Sequence, residues 1–465
     1  MTRFARVGGS LTANAGSASA EMGDRVWAAL SLRKSTLSLG GALPHDCVWP
    51  HVVQTSRLWS RPYALLDGRS RSCAAPFTLR VARMPPQVIF REPRAINAIF
   101  AAPETSLMPG KGGDTVAPIV GSRSFMLADD EAHRVGRKAS VAAFNVKAVE
   151  QHAAMVGGAA QRALAAWPEG VAVAMHGHLR ALTLEVILRT LTSHLDGELD
   201  ITLASLHHEV LAMLTITASP MFVETRLRHG PGKVVWTRFL DRRRRVFELL
   251  SALIRSGRLR SLRGCASADP GYDDAETTSD DIMSLILAGH ETTAAQLAWA
   301  FQLLAHHPNV RDRLLREIDS ESGDEYLTAT IQEVLRHRSV FVFATPRVVA
   351  EPFEIDDWAF APPTNLLACI YLLHHDAATY SDPEVFRPER FLGAPPEPST
   401  WIPWGGGRKR CPGLHLAMLE MKVVLRTVLR ARRPEPAARR MERPRWRSVI
   451  VVPHAGSRVV LVKRR

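Results

Sequence analysis

The stretch from Ser279 to His306 limits the folds open to this chain more than any other. Ser279 can cap a helix, Asp280 and Asp281 suit a first turn, and the apolar residues from Ile282 to Ala305 then fall on nearly every helical face. Such a helix cannot lie along a surface; it has to run through the middle of a domain. Its 24 residues span roughly 36 Å at about 1.5 Å per residue, enough to cross one. It is too polar for a membrane span, because Ala288-Gly289-His290-Glu291-Thr292-Thr293 interrupts the apolar run. A glycine, an acid and two threonines inside a buried helix are costly in propensity and in desolvation. Either the helix surfaces there, or its hydrogen bonding opens locally beside a ligand.

The second constraint is Trp401 to Gly413, WIPWGGGRKRCPG. Three consecutive glycines bend the backbone close to something bulky, and three cationic side chains lead to Cys411, Pro412 and Gly413. A helical run follows from Leu414 to about Leu429, so Cys411 stands just ahead of a helix N-terminus, where the dipole and free amides favour a negative sulfur. A cysteine in these surroundings reads as reactive or metal-binding rather than as packing.

Composition narrows the class. At 465 residues and 46% hydrophobic the chain can bury a large core, and no Pro/Gly/Ser-rich linker divides it. Five cysteines stand apart at 47, 73, 265, 369 and 411, which excludes a zinc cluster built from cysteines, argues against a disulfide framework, and points to a reducing cytoplasm. The net charge of +13 raises nucleic acid as a partner, but it is spread along helices and C-terminal loops with no zinc-finger or basic-zipper spacing. An acidic protein partner suits it better. No apolar run reaches about eighteen residues before position 100, so neither a membrane anchor nor a signal peptide is expected, and Val26 to Leu39 is at most weakly amphipathic.

Residues 1 to 40 are rich in Gly, Ala and Ser and read as a flexible N-terminal segment, with residues 41 to 465 as a single domain. Phe77 to Ala82 and Gln87 to Phe90 read as a hairpin, and Pro93 opens a short helix through Phe100. Pro103 to Ser122 has no period and is expected as a long loop. Asp129 to Phe144 is helical, with His133 and Arg137 four apart on one face and Arg134 and Lys138 beside them, a spacing suited to carboxylates or phosphates and equally to a basic surface. Ala148 to Leu249 is mostly helical with breaks near 167–170, 219–220 and 230–232, and Gly264 to Thr278 is an acidic connector. Helices from Pro308 to Ile318 and Tyr326 to Arg338 follow; in the latter Glu333 and Arg336 make an i,i+3 pair of the kind common on surfaces. Strand signals stand at Arg347 to Val349 and Phe353 to Ile355, with Leu366 to Leu373 ambiguous, and Ser448 to Val452 with Val459 to Val462 read as a hairpin.

Taken together these motifs resemble the cytochrome P450 family, the haem-thiolate monooxygenases, in the manner of its soluble bacterial members, clearly from about residue 75 onward. Cys411, Gly413, Ala417 and Glu420 are similar to the haem-ligand loop and proximal helix. Ala288 to Thr293 is similar to the oxygen-binding segment of the long central helix. Glu333 and Arg336, with Arg390 of Pro-Glu-Arg-Phe, are similar to a buried structural network. The resemblance implies a mainly α fold with small β-sheets, haem b between the long central helix and the proximal helix, and Cys411 as axial iron ligand. It further implies His133, Arg137, Arg347 and Lys409 as propionate partners, Trp404 packed beneath the haem, and Glu291 and Thr292 as the acid and alcohol that handle protons and oxygen. Leu285, Ala288, Gly289, Val340, Phe341, Val342 and Phe343 would wall the substrate pocket, which is apolar enough for a lipophilic small molecule.

Two residues depart from the family pattern. Trp404 stands where phenylalanine is usual and carries an N–H that can reach toward the sulfur or simply fill space; Lys409 stands where arginine or histidine is usual and lacks a planar fork. The implied reaction is insertion of one atom of O2 into C–H or C=C of a lipophilic substrate. Neither a flavin domain nor grouped cysteines are present, so electrons would come from a ferredoxin or flavodoxin with its NAD(P)H-dependent reductase, docked on Arg134, Lys138, Arg408, Lys409 and Arg410. A cytoplasmic monomer without nucleic acid is expected. The rivals are an electron-independent haem-thiolate isomerase or dehydratase, a peroxide-driven hydroxylase, and a haem sensor or carrier without enzymatic activity.

Overall fold

The computed structural model describes residues 43–47, 49–73, 75–192, 199–218, 232–259 and 275–464. The expected flexible segment 1–40, the chain breaks near 219–220 and 230–231, and most of the acidic connector lie outside them.

Among the described residues twelve longer helices carry the fold: α1 His51–Ser60, α2 Pro62–Ser72, α3 Pro93–Ala101, α4 Asp130–Ala143, α5 Ala153–Ala166, α6 Met175–Thr192, α7 Ile201–Ile216, α8 Gly232–Arg255, α9 Ala275–His306, α10 Pro308–Ser320, α11 Glu325–His337 and α12 Leu414–Ala431. Proline at the first turn starts α3 and α10, where its missing N–H costs nothing, and the Asp200 side chain caps α7 by accepting from the amides of Thr202 and Leu203.

Of the strands, β1 Phe77–Leu79 and β2 Gln87–Phe90 form the expected hairpin. With β3 Leu107–Met108, β5 Arg347–Val349 and β8 Asn365–Ala368 they make a five-stranded sheet in the order β1-β2-β8-β5-β3. β4 Ala172–Ala174 lies in a second sheet, and β6 Phe353–Ile355 pairs with β7 Trp358–Phe360. The ambiguous run from Leu366 divides into the end of β8 and a short helix Ile370–His374.

Three expectations change. The C-terminal strands do not pair with each other: β11 Ile450–Pro453 folds back on β10 Pro444–Arg447, while β12 Arg458–Lys463 inserts between β4 and β9 Arg432–Pro436. Alternating burial identifies a strand but not its partner, and β9 and β10 hide behind prolines and arginines that carry little strand propensity. The stretch 103–122 is not a bare loop; β3 and short helical turns at Pro109–Gly112, Asp114–Val116 and Ala117–Val120 occupy it. Finally, α9 begins at Ala275 rather than after Ser279, so Asp280 and Asp281 sit inside the helix. Their carboxylates accept the backbone N–H groups of Arg123 (3.0 Å) and Phe125 (2.8 Å), fastening the segment ahead of α4 onto α9. Gly121 is required at that contact: its φ is +95°, and a Cβ there would lie 1.9 Å from Asp280 Oδ1.

At 32 residues α9 runs roughly 48 Å. Ile282, Met283, Leu285 and Ile286 pack with α7 and α8 in one hydrophobic cluster, and Ala294 to Ala305 packs with α5, α6 and α12 in a larger one. The polar segment 288–293 therefore falls where the two cores meet. No helix among the described residues is long and apolar enough to cross a membrane.

Candidate active site

The glycine run is shaped by α3. Gly405 and Gly407 have φ of 66° and 62°, and a Cβ on Gly406 or Gly407 would come within 2.1 or 2.2 Å of Phe100. The bulky neighbour that the sequence anticipates thus includes Phe100. The Cys411 amide donates to the Trp404 carbonyl (2.9 Å), closing the turn, while the Trp404 ring packs against the larger core.

The Cys411 thiol is half-buried. Burial pushes its pKa up, against the Gly413 amide and the charges of Arg137 and Arg410, which pull it down. In the protein alone burial outweighs the amide and the two arginines that favour a negative sulfur, and a coordinating metal deprotonates a bound thiol outright.

Cations from three elements gather around this loop. Arg137 of α4 donates to the Arg410 carbonyl (2.5 Å), and Arg347 of β5 donates to the carbonyls of Thr345 (2.7 Å) and Gly406 (3.4 Å). Lys409 donates to the carbonyls of Met126 (3.2 Å) and Ala128 (2.6 Å), so it first ties the loop to the approach of α4. Burial draws Arg347 down to about 10 and Lys409 to about 8, with Asp129 and Glu104 as the carboxylates that oppose the shift. His133 is buried beside them, and burial followed by the charges of Lys409, Arg137, Arg347 and Arg408 pushes its imidazole down to about 3. One buried and two half-buried cations beside a thiol suited to a metal fit a haem with its two propionates.

On α9 Ala288 is exposed and Thr292 half-exposed on neighbouring positions of one face, while Gly289 packs against α6, where a Cβ would come within 3.0 Å of Ile187, and Leu285 one turn earlier is buried. The helix does not open: it is continuous through 288–293, and its carbonyls take additional side-chain donors. His290 Nδ1 donates to Ile286 O (2.7 Å), Thr292 Oγ1 to Ala288 O (2.6 Å), and Thr183 Oγ1 of α6 to His290 O (2.9 Å).

Glu291 points away from that face. Its carboxylate accepts from Arg180 of α6 (2.6 Å) and from Arg447 of β10 (3.3 and 3.4 Å), with His176 at 4.0 Å. Burial works against the charge, yet the surrounding His290, Arg180, Arg447 and His176 hold the carboxyl well below the usual range. Burial keeps both histidines neutral near pH 7, so the arginines carry that effect. Sequence reasoning missed Arg180, Arg447 and Thr183, which stand more than a hundred residues from Glu291 or His290 along the chain and carry no local signal.

Phe341 and Phe343 are half-buried, whereas Val340 and Val342 alternate with them and turn into the core at 7% and 1% exposure.

Glu333, Arg336 and Arg390 come together fully buried or nearly so. Arg336 forks onto Glu333 at 2.7 and 2.8 Å, Arg390 Nε reaches it at 3.1 Å and the Arg387 amide at 2.9 Å. The i,i+3 pair is thus a buried network rather than a surface one.

The chain is similar to known proteins over most of its length. The family model described as "Cytochrome P450" matches residues 265–459. The chain is 33% identical over 430 residues to cytochrome P450 135B1 of Mycobacterium tuberculosis, covering 88% of this chain and 89% of that protein. It is 31% identical over 420 residues to cytochrome P450 138 of the same species, covering 86% and 92%. Among solved structures, cyanobacterial CYP120A1 bound to retinoic acid shares the fold at a TM-score of 0.78 and 19% identity over 91% of this chain and 99% of that one. CYP175A1 from Thermus thermophilus does so at 0.72 and 23%, over 90% and 100%.

Replacing Glu333 with alanine leaves Arg336, which has no exposed side-chain surface, as a buried charge without its counter-ion. The expected cost is about 3 to 5 kcal/mol, read as a fall in the urea midpoint. A change near zero would show the network to be dispensable.

Proposed function

The chain belongs to the cytochrome P450 family of haem monooxygenases, and we propose that it oxygenates a lipophilic small molecule with electrons from an external carrier. Haem, with a cysteine thiolate on its iron, supplies the oxygen chemistry; the protein supplies ligand, orientation and protons. The observation that carries the assignment of roles is the gathering of Arg137, Arg347 and Lys409 around the loop of Cys411, which suits a bound anionic group beside a metal-binding sulfur. Cys411 would supply the thiolate to the iron, and His133, Arg137, Arg347 and Lys409 would hold the propionates, with Trp404 packed against the loop.

Thr292 is proposed as the hydroxyl that hydrogen-bonds oxygen or an adjacent water from the front of α9. Its Oγ1 already donates to Ala288 O, so it offers its lone pairs as acceptors until that bond is exchanged. Glu291 is proposed as the proton-bearing group behind it. Its ion pairs with Arg180 and Arg447 set the condition: the carboxylate takes a proton only after an arginine has turned away.

Substrate contact is assigned to Leu285, Ala288, Gly289, Phe341 and Phe343, an apolar set that favours a lipophilic molecule and excludes a highly charged one. A ferredoxin or flavodoxin, reduced through an NAD(P)H-dependent reductase, is the proposed electron source for a cytoplasmic monomer. Lys138, Arg408 and Arg410 are exposed for docking, and Arg134 is exposed but already paired with Glu131.

The reduced protein exposed to carbon monoxide should give the strongly red-shifted Soret band of thiolate ligation, and Cys411→Ala should abolish it. A wild-type band typical of a neutral thiol or histidine ligand would remove the reading. Thr292→Ala should lower product formed per electron consumed more than it weakens substrate binding; unchanged coupling would remove Thr292 from its role. Lys138→Glu should slow reduction by an acidic carrier, more at low than at high ionic strength, without loss of haem. Equal reduction rates at all salt concentrations would move the docking face elsewhere.

A further inference from the structure

Glu104 stands in the turn between α3 and β3, far from every recognised motif, and is only 6% exposed. Its Oε1 lies 3.4 Å from His133 Nδ1, and its Oε2 lies 4.0 Å from Arg408. It also acts on Arg347 and Lys409 through space. A carboxylate deep in a cluster built to receive two further carboxylates is a cost unless it does something for one of the cations.

His133 is where it acts. The 3.4 Å contact has ion-pair rather than hydrogen-bond geometry, and the charge of the carboxylate favours the proton on the nitrogen that faces it in the neutral ring. The other nitrogen, Nε2, is then an acceptor and repels a propionate. Both nitrogens meet carboxylates only if the ring carries two protons.

We infer, on the haem-thiolate reading above, that Glu104 is a positioning residue that holds His133 so that it binds a haem propionate as the imidazolium, taking up one proton from solvent as haem binds. The groups facing His133 are Glu104 from the turn after α3, Arg137 from its own helix, Arg408 and Lys409 from the cysteine loop, and Arg347 from β5, with Asp129 behind the last two. Without haem, burial first and the cations second keep the ring neutral; the propionates bring the opposing negative charge that favours the protonated ring. Haem affinity contributed by His133 is therefore fully present at low pH and declines as pH rises through the pKa of the haem-bound imidazolium.

The test is haem release from the holoenzyme into excess apomyoglobin near pH 7, with a pH indicator in weakly buffered solution counting protons. Release returns a proton to Cys411 in every variant, so the difference between proteins isolates His133. Wild type should release about one proton more per haem than Glu104→Gln, and Glu104→Gln should lose haem about tenfold faster, the scale of one charge-assisted hydrogen bond. His133→Gln should give the same proton count as Glu104→Gln, and supplies the comparison if Glu104→Gln does not load haem. Glu104→Asp should keep the wild-type count. Equal counts in wild type and the Glu104→Gln and His133→Gln variants overturn the inference whatever the release rates. The red-shifted carbonyl band, recorded on the same samples, tells that outcome apart from failure of the haem-thiolate reading.

Discussion

A carboxylate buried with no exposure at all, Glu333, fixes the part of the molecule that has the least regular structure. Its charge is tolerable only with its lone pairs filled, and the donors come from three places: the Arg336 fork on its own helix, the Arg390 side chain and the Arg387 amide. The arginines in turn satisfy carbonyls of the irregular chain beyond. Arg336 reaches His374 and Pro383, and Arg390 reaches Ser381, Asp382 and Val385. The His374 ring then accepts the amide of Ile402 (3.0 Å), at the start of the cysteine loop. One buried charge therefore reaches through a chain of hydrogen bonds, by way of the last residue of the short helix Ile370–His374, to the loop that presents Cys411.

The long helix solves a related problem. Its polar segment lies between two hydrophobic clusters, and three of its carbonyls take donors from His290, Thr292 and Thr183. At 100° per residue the helix sends Ala288 and Thr292 one way and His290 and Glu291 another, with Gly289 against Ile187 of α6. The back is pinned by Arg180 and Arg447, which join α6, α9 and the C-terminal hairpin through one carboxylate. The front keeps its small side chains and remaining exposure. Polar residues that look expensive in a one-dimensional reading find partners once both faces are seen, with His290 Nε2 the exception.

That difference explains what the sequence made legible. Helices with strong apolar periods, the first hairpin, and the cysteine loop ahead of α12 stand where their residues place them, because each depends on neighbours within a few turns. The C-terminal strands were read correctly as strands and wrongly as partners, since β12 takes Pro434 and Glu435 of β9 and Val173 of β4 as neighbours. Within 340–343, Val340 and Val342 are buried in the core and Phe341 and Phe343 half-buried against it. Glu104, Arg180 and Arg447 could not be found that way. Each is an ordinary charged residue until a contact distant in sequence gives it a partner.

The same helical geometry divides the positive charge of the chain. On α4, His133 and Arg137 turn toward the cysteine loop, while Arg134 and Lys138, one residue further on, turn outward at 100° to them. On the loop itself, Lys409 is drawn inward to the carbonyls of Met126 and Ala128, and Arg408 and Arg410 stay at the surface. The inner set is short of anions and held there by packing, so it binds an anionic group at close range in a low dielectric. The outer set is solvated and acts at long range through a field that salt screens. Two neighbouring patches of the same sign thus favour two different partners, a buried ligand and a passing acidic surface, and a one-residue step along a helix is enough to separate them.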